Sequence, residues 1–354
     1  MVCQIYTPEP VDRFAWIRVR QLGIAGPRPK LSLLAAGGGG VMDSELGEPA
    51  CDVAALDHVA DGVTGLRIIV VNLYSVTGPD GHWVLIDAGL PFSATRIRNW
   101  AEQEHGSTRP ECIALTHAHF DHAGGLSTLA DYWDVPIYAH ALELPYLTGK
   151  SKYPPPDPSA GSGLLAMIAP LYPRRPIDVS ERVREFPADG SVPGLTGWRW
   201  IATPGHTPGH VSFFRDDGRV LIAGDAFTTT GEASLAALAS REPEIHGPPD
   251  CTQDWDAAKQ SVGLLAALLP GVAAPGHGRP MYGKEMQDAL QRLAGNFDRA
   301  ARPARGRYTR ATPIAGEGGP APVPPAQGRG TGKVLLGAAL ASMALYGITR
   351  WRRG

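Results

Sequence analysis

The stretch T-H-A-H-F-D-H at residues 116–122 places three histidines and one aspartate within six residues. Imidazole nitrogens and carboxylate oxygens are the ligands of zinc and of other borderline first-row metals. The apolar run 112–115 precedes the stretch and two glycines follow it closely, which predicts a loop between a strand and a helix. Because alternate side chains of an extended segment point the same way, His117 and His119 can bind one ion. Asp121 and His122 lie just past the bend and can face a second ion.

Four further strand-like runs also end in a histidine or an aspartate. The residues at these ends are Asp87, His206, Asp225 and His277. Side chains gathered at strand ends converge on one edge of a sheet, as ligand sites do in layered α/β folds. Polar residues often end strands for structural reasons alone. That explanation does not account well for five strand ends, including the one at His117, that all carry a histidine or an aspartate.

The pattern of apolar residues predicts alternating strands and helices between residues 63 and 302. β-branched and apolar runs predict strands at 66–75, 83–86, 112–115, 135–138, 198–202, 211–215, 219–223 and 272–274. Helical spacing predicts helices at 93–104, 126–132, 254–269 and 284–301. The sequence therefore favours a layered α/β domain.

Composition limits the class of protein. The net charge of -2 over 354 residues gives no footprint for nucleic acid, so a small-molecule substrate is expected. The four cysteines, at positions 3, 51, 112 and 251, are scattered without a C-x-x-C pair. This argues against a disulfide framework and suits a reducing, cytoplasmic location. A G-x-S-x-G motif is absent, which disfavours a serine hydrolase.

Composition also divides the chain into four parts. Residues 1–41 are predicted to be a weakly ordered extension, and Met42 opens a more regular sequence that is an alternative start. Residues 42–302 form the expected catalytic domain, with a Pro-rich insertion or lid at about 143–178. Residues 303–332 are rich in Pro and Gly and predict a flexible linker.

The last part, residues 333–354, contains an uncharged run of 16 residues, 334–349, flanked by basic residues. A spanning helix usually needs about 17–25 residues, so this run is short. We expect the tail to associate with a membrane; an oligomerisation helix and a disordered tail are the alternatives. The oligomeric state is left open.

Together these motifs resemble those of the metallo-β-lactamase-fold hydrolases. The resemblance covers about residues 60–300 and implies an αββα sandwich of two packed mixed β-sheets flanked by helices. β-Lactamases with two zincs often carry a cysteine where Asp225 stands, so an aspartate there is more similar to the glyoxalase II and lactonase branch. The resemblance implies two Zn²⁺ per chain, with Fe or Mn as alternatives. The implied ligands of the first metal are His117, His119 and His206, those of the second are Asp121, His122 and His277, and Asp225 bridges both.

Other residues near these motifs have expected supporting roles. The resemblance implies that Asp87 orients a ligand. His210 follows His206 by four residues at the start of a strand, and we expect it to support a ligand or the core. Candidates for the lining of the substrate pocket are Tyr172, Phe227, His246 and Tyr282; for Phe227 a role in the core is the favoured alternative.

The expected reaction is hydrolysis. Two neighbouring metals lower the pKa of a shared water, and the resulting hydroxide would attack a thioester, a lactone or a similar ester. Asp121 is expected to orient this nucleophile and to pass a proton to the leaving group. One alternative is an enzyme similar to persulfide dioxygenases, with a single iron. The other is a metal-binding module without catalysis, tethered at a membrane.

Overall fold

A computed structural model of the chain describes residues 53–157, 159–160, 173, 177–231 and 243–309. The extension 1–41, the tail 333–354, most of the linker, and Tyr172 lie outside these ranges. Within the described part of the chain, no helix combines the length and the apolar character that a membrane crossing requires. The membrane-associated tail therefore stays a prediction.

The first half of the chain forms a sheet of seven strands in sequence order. Strands β1 to β4 pair antiparallel, and β4 to β7 pair parallel, so the sheet is mixed. The strands are β1 (Val53–Ala60), β2 (Val63–Ile68), β3 (Val71–Thr77), β4 (Trp83–Ile86), β5 (Ile113–Ala114), β6 (Ile137–Ala139) and β7 (Val183–Glu185).

The strand predicted at 66–75 is in fact two strands, β2 and β3, joined by a two-residue turn. Ile69 in this turn has a φ of 59°, a left-handed conformation that is unusual for a β-branched residue. The next residue, Val70, accepts a hydrogen bond from Nδ1 of His277 at 2.8 Å through its carbonyl oxygen. The turn thus leaves the carbonyl of Val70 free to accept from His277, a predicted ligand. In a continuous strand that carbonyl would bond to the neighbouring strand of the sheet.

The second half forms a sheet of six strands in the order β13-β12-β11-β10-β9-β8. Only β11 and β12 pair parallel, so this sheet is also mixed. The strands are β8 (Ser191–Val192), β9 (Leu195–Ala202), β10 (Val211–Arg215), β11 (Val220–Gly224), β12 (Val272–Pro275) and β13 (Met281–Tyr282).

Helices occupy the turns between strands and the end of the described domain. They are α1 (Ala94–His105), α2 (Phe120–Ala123), α3 (Leu126–Trp133), α4 (Leu144–Leu147), α5 (Trp255–Ala267), α6 (Gly283–Gly295) and α7 (Phe297–Ala300). Asp254 caps α5, since its side chain accepts from the backbone N–H groups of Asp256 and Ala257. The helix predicted at 284–301 is divided into α6 and α7, because Asn296 has a non-helical φ of −131°.

Three apolar clusters show how these elements are layered. One joins the first sheet to α1 and α3, for example through Leu85, Ile97 and Leu129. A second contains residues of both sheets, such as Ile86 and Phe213. A third joins the second sheet to α5 and α6. The order helix, sheet, sheet, helix confirms the predicted αββα sandwich.

Candidate metal centre

His117, His119 and His206 bring three ring nitrogens together. Nε2 of His117 lies 3.0 Å from Nδ1 of His119, which lies 2.9 Å from Nε2 of His206. His117 and His119 belong to the loop after β5, whereas His206 follows β9 in the other sheet. A single shared proton cannot satisfy three nitrogens that face one point, but a cation can.

Neighbouring threonines set the tautomers of two of these rings. Thr116 Oγ1 donates its one hydrogen to Asp87 Oδ2 at 2.8 Å, so it accepts from Nδ1 of His117 at 3.0 Å. Thr252 Oγ1 donates to the carbonyl of Pro249, so it accepts from Nδ1 of His206 at 3.3 Å. Each ring therefore carries its proton on the outer nitrogen and presents the lone pair of Nε2 to the centre.

Asp121, His122 and His277 form a second group of ligand atoms. Nδ1 of His122 donates to Oδ2 of Asp87 at 2.8 Å, and Nδ1 of His277 donates to the carbonyl of Val70 at 2.8 Å. Both rings therefore face inward with Nε2. In this group, Nε2 of His277 lies 3.5 Å from Oδ2 of Asp121.

Asp225, which follows β11, contacts both groups. Its Oδ2 lies 3.3 Å from Nε2 of His206 and 3.3 Å from Nε2 of His277. Its Oδ1 lies 3.4 Å from Nε2 of His122. Its carboxylate thus stands between the two groups, as the bridging role implies.

The centre leaves polar atoms for which a cation would be a partner. Nε2 of His122 and Oδ1 of Asp225 are buried, face each other at 3.4 Å without hydrogen-bond geometry, and make no hydrogen bond to any described residue. Burying such atoms unsatisfied costs about 1–3 kcal/mol each. Gly276 keeps the space beside them clear, because a β-carbon there would lie 2.2 Å from Oδ1 of Asp225. The donor set and this cradle fit a pair of metal ions.

Burial and neighbouring charge divide the two groups electrostatically. Burial lowers the pKa of His117 and His206 well below its ordinary value and that of His119 to about 4, so these rings are neutral at pH 7. Burial also opposes charge on His277, but Asp225 and Asp121 outweigh it and raise its pKa to about 9. The first group therefore offers free lone pairs, whereas ions entering the second must displace protons.

Asp87 and His210 support the ligands from behind. Asp87 is buried with a φ of 66°, and its carboxylate accepts from Thr116 N at 2.8 Å and from His122 Nδ1. His210 donates from Nδ1 to the carbonyl of Thr203 at 3.1 Å, and its Nε2 accepts from the backbone N–H of Asp225 at 2.8 Å. Asp87 thus orients the ring of His122, and His210 fixes the backbone of Asp225.

The residues predicted to line the substrate pocket have less support from the structure than the predicted metal ligands. Phe227 is fully buried in the cluster with Trp255 and Met286, so the idea that it lines the pocket is wrong. The ring of Phe227 packs in the core between the second sheet and the helices α5 and α6. His246 pairs through its backbone with Thr228, and Tyr282 lies half exposed on the edge strand β13. Their pocket roles stay predictions, and Tyr172 lies outside the described residues.

Sequence reasoning missed Glu143 and Tyr153, which lie beside the first group. Glu143 is fully buried, and Tyr153 is 9% exposed. Their hydroxyl and carboxylate hydrogen-bond to each other and to the backbone N–H of Ala118. The only available signal was that Glu143 is the single charged residue in the otherwise uncharged run 141–149.

The αββα fold thus brings together two groups of side chains that could each hold a metal ion. The metallo-beta-lactamase superfamily matches residues 67–277. The probable metallo-hydrolase YflN of Bacillus subtilis is 49% identical over 241 residues, which cover 67% of this chain and 91% of that protein. The chain therefore belongs to the metallo-beta-lactamase superfamily, and the predicted resemblance is confirmed.

More distant similarities extend to named enzymes and solved structures. A hydroxyacylglutathione hydrolase of Erwinia tasmaniensis is 24% identical over 160 residues, covering 45% of this chain and 48% of that protein. A crystal structure of a protein in a di-iron-bound form is 27% identical, with a TM-score of 0.43, and covers 63% of this chain and 92% of that chain.

Proposed function

We propose that the protein is a dinuclear metal-dependent hydrolase, with zinc as the metal, that cleaves a thioester, a lactone or a similar ester. The contact of Asp225 with ligand atoms of both groups carries the proposal. A carboxylate in that position could bind two ions at once. A site for a single ion would leave one of the two groups of candidate ligands without a metal. Membership in a superfamily of metallo-hydrolases supports the reaction class.

Bound metal ions would supply Lewis-acid activation of water and of the substrate carbonyl. The residues of the chain then hold the ligand atoms and handle protons. Asp121 suits the second task, because its side chain is 17% exposed whereas that of Asp225 is 2% exposed. A carboxylate open to the site can orient an attacking water through one oxygen and pass a proton to the leaving group.

Two exposed apolar side chains on loops that contact the candidate ligand segments support a substrate with an apolar part. Ile69 is 48% exposed and lies in the turn whose Val70 carbonyl binds His277. Phe92 is 98% exposed and follows Pro91, whose backbone nitrogen would lie only 2.2 Å from a β-carbon on Gly124, two residues beyond His122. Two exposed apolar side chains on loops tied to ligands favour an acyl or alkyl group. The similarity to a hydroxyacylglutathione hydrolase adds support for a thioester.

The test is metal analysis joined to a substrate panel on the full chain. Metal content is measured by mass spectrometry, and turnover is measured on thioesters, lactones, phosphodiesters and β-lactams. We expect about two zinc ions per chain and turnover of a thioester or a lactone. About one iron per chain would instead support the persulfide-dioxygenase alternative, and metal binding without any turnover would support the non-catalytic module.

A pair of variants makes the test specific to the bridging position. Asp225→Asn should lose one metal and reduce turnover by about 10²-fold or more, since an amide cannot replace a bridging carboxylate. Asp157→Asn is the matched control, because Asp157 is also a buried carboxylate, 3% exposed, but it accepts from the backbone N–H groups of Ser159 and Arg307 and from no candidate ligand. Equal metal content and turnover in the Asp225 variant and the wild type would refute the assignment.

A further inference from the structure

Glu143 lies at the end of the short 3₁₀ turn Ala141–Glu143, where the insertion begins. Its side chain is fully buried, and burial raises its pKa. Oε1 accepts from Thr207 Oγ1 and from Gly209 N, both at 2.8 Å. Oε2 accepts from Ala118 N at 3.0 Å and from the Tyr153 hydroxyl. The carboxylate thus accepts four hydrogen bonds, which is the number of its lone pairs.

Three of these donors, those of Ala118, Thr207 and Gly209, belong to the two loops that carry the first group of candidate ligands. Ala118 stands between His117 and His119, and Thr207 directly follows His206. The two loops come from different sheets, and the carboxylate of Glu143 joins them through their polar groups. Glu143 does not touch the ring nitrogens of the group, so any effect on a metal passes through the loops.

Close packing keeps this connection short. A β-carbon on Gly209 would lie 2.8 Å from Cγ of Glu143, so only glycine lets the turn approach the carboxylate this closely. Tyr153 fills the other side: its hydroxyl accepts from Ala118 N at 3.1 Å, and its ring lies 4.4 Å from the ring of His119. Tyr146 stacks on Tyr153 with ring centroids 3.8 Å apart.

We infer that Glu143 is a positioning residue that, together with Tyr153, sets the distance between the His117–His119 loop and the His206 turn. The first ligand group is thereby held assembled before a metal arrives. The four donors are buried, so each needs a hydrogen-bond acceptor within the protein. The carboxylate of Glu143 supplies that acceptor and also holds the donors in place. The inference rests on the proposed metal binding by this centre.

The decisive variant is Glu143→Gln, tested for metal affinity in the full chain. An amide offers one acceptor oxygen and an NH₂ group, which would face two of the four donors without a lone pair. We expect zinc affinity at one of the two sites to fall by about 10–100-fold, as for other residues that orient metal ligands. Competition with a chromophoric chelator measures this affinity, and the visible absorption of the cobalt-substituted protein reports the ligand geometry.

Tyr153→Phe is a second variant that keeps the ring contacts and removes one donor. It should change the zinc affinity and the cobalt spectrum in the same direction as Glu143→Gln, by a smaller factor. Asp157→Asn is again the buried-carboxylate control and should leave both readouts unchanged.

The outcomes separate this inference from the proposed function. If the wild-type chain binds no metal, the proposed function fails first. If the wild type binds two metals and a folded Glu143→Gln protein binds them with the same affinity and the same cobalt spectrum, the positioning role is overturned. If Glu143→Gln does not fold, Tyr153→Phe decides, and an unchanged affinity and spectrum overturn the role.

Discussion

Gly276→Ala should damage the metal centre while leaving the backbone conformation acceptable. The φ of Gly276 lies outside the left-handed region, so alanine is not strained there by its own backbone. Its β-carbon would however stand 2.2 Å from Oδ1 of Asp225 and 2.7 Å from Cε1 of His122, whereas ordinary contact begins at 3.4 Å. The carboxylate oxygen would therefore have to move by more than ~1 Å, a misplacement of the size that costs about 10²-fold in rate.

The backbone at Gly276 cannot relieve this contact by moving away. Its N–H donates to the carbonyl of Gly224 at 2.8 Å, and its carbonyl accepts from Asn72 N at 2.8 Å. The side chain of Asn72 also binds the carbonyls of Pro275 and Gly278 on either side. The side chains of Asp225 and His122 are consequently the groups that must yield.

The assay compares Gly276→Ala with Gly263→Ala. Gly263 lies inside α5 with nothing within 4 Å of the added carbon, so alanine there should raise the free energy of unfolding by about 0.5–1 kcal/mol. We expect Gly276→Ala to lose at least one metal per chain and about 10²-fold in turnover, measured by metal analysis and kinetics. A folded Gly276→Ala protein with full metal content and turnover would refute the reasoning.

Three other predictions concern the support of the centre and the effect of pH. Asp87→Asn places an amide NH₂ against Nδ1–H of His122 or against Thr116, so zinc affinity should fall by about 10–100-fold in a chelator competition; an unchanged affinity would contradict the orienting role. Chelating the metal should lower the urea midpoint of unfolding, because each zinc removed takes away about 4 kcal/mol of stability if free zinc was 10³ times the Kd of its site; added zinc should restore the midpoint, and no change would mean that the folded state holds no metal. Burial lowers the pKa of His105, so the folded state favours the neutral ring. The resulting contribution to stability is fully present above about pH 6.5 and is lost as the pH falls below that value. In His105→Gln the fall in the urea midpoint between about pH 7.5 and 5.5 should be smaller than in the wild type, and an equal fall would contradict this assignment.

The grouping of the candidate ligands was predictable because they lie on only four segments of the chain, and each segment comes just after a strand. His117, His206 and Asp225 stand where strands end, and strand ends of a layered fold meet at one edge. The periodicity of the sequence also gave most helices and strands. It failed at residues 69 and 70, because apolar β-branched residues there predict a strand while the turn is stabilised by His277, which is distant in the sequence.

The supporting residues were mostly beyond sequence reasoning. Glu143 is 64 residues from the Thr207 that it binds, and Thr252 is 46 residues from His206. For Thr252 nothing local distinguishes a buried threonine from a solvated one, and for Glu143 the one local signal is its place in an otherwise uncharged run. Their roles come from tertiary packing, which brings unpaired donors and acceptors together after the sheets have formed.

The division of the ligands between the two sheets has a consequence for the assembly of the protein. The chain up to β7 supplies two ligands of the first group and two of the second, and the chain from β8 onward supplies His206, His277 and the shared Asp225. Neither half holds a complete site for either ion. Each bound ion would act as a non-covalent cross-link between the halves, so metal should promote reassociation of two fragments separated in the loop 187–190.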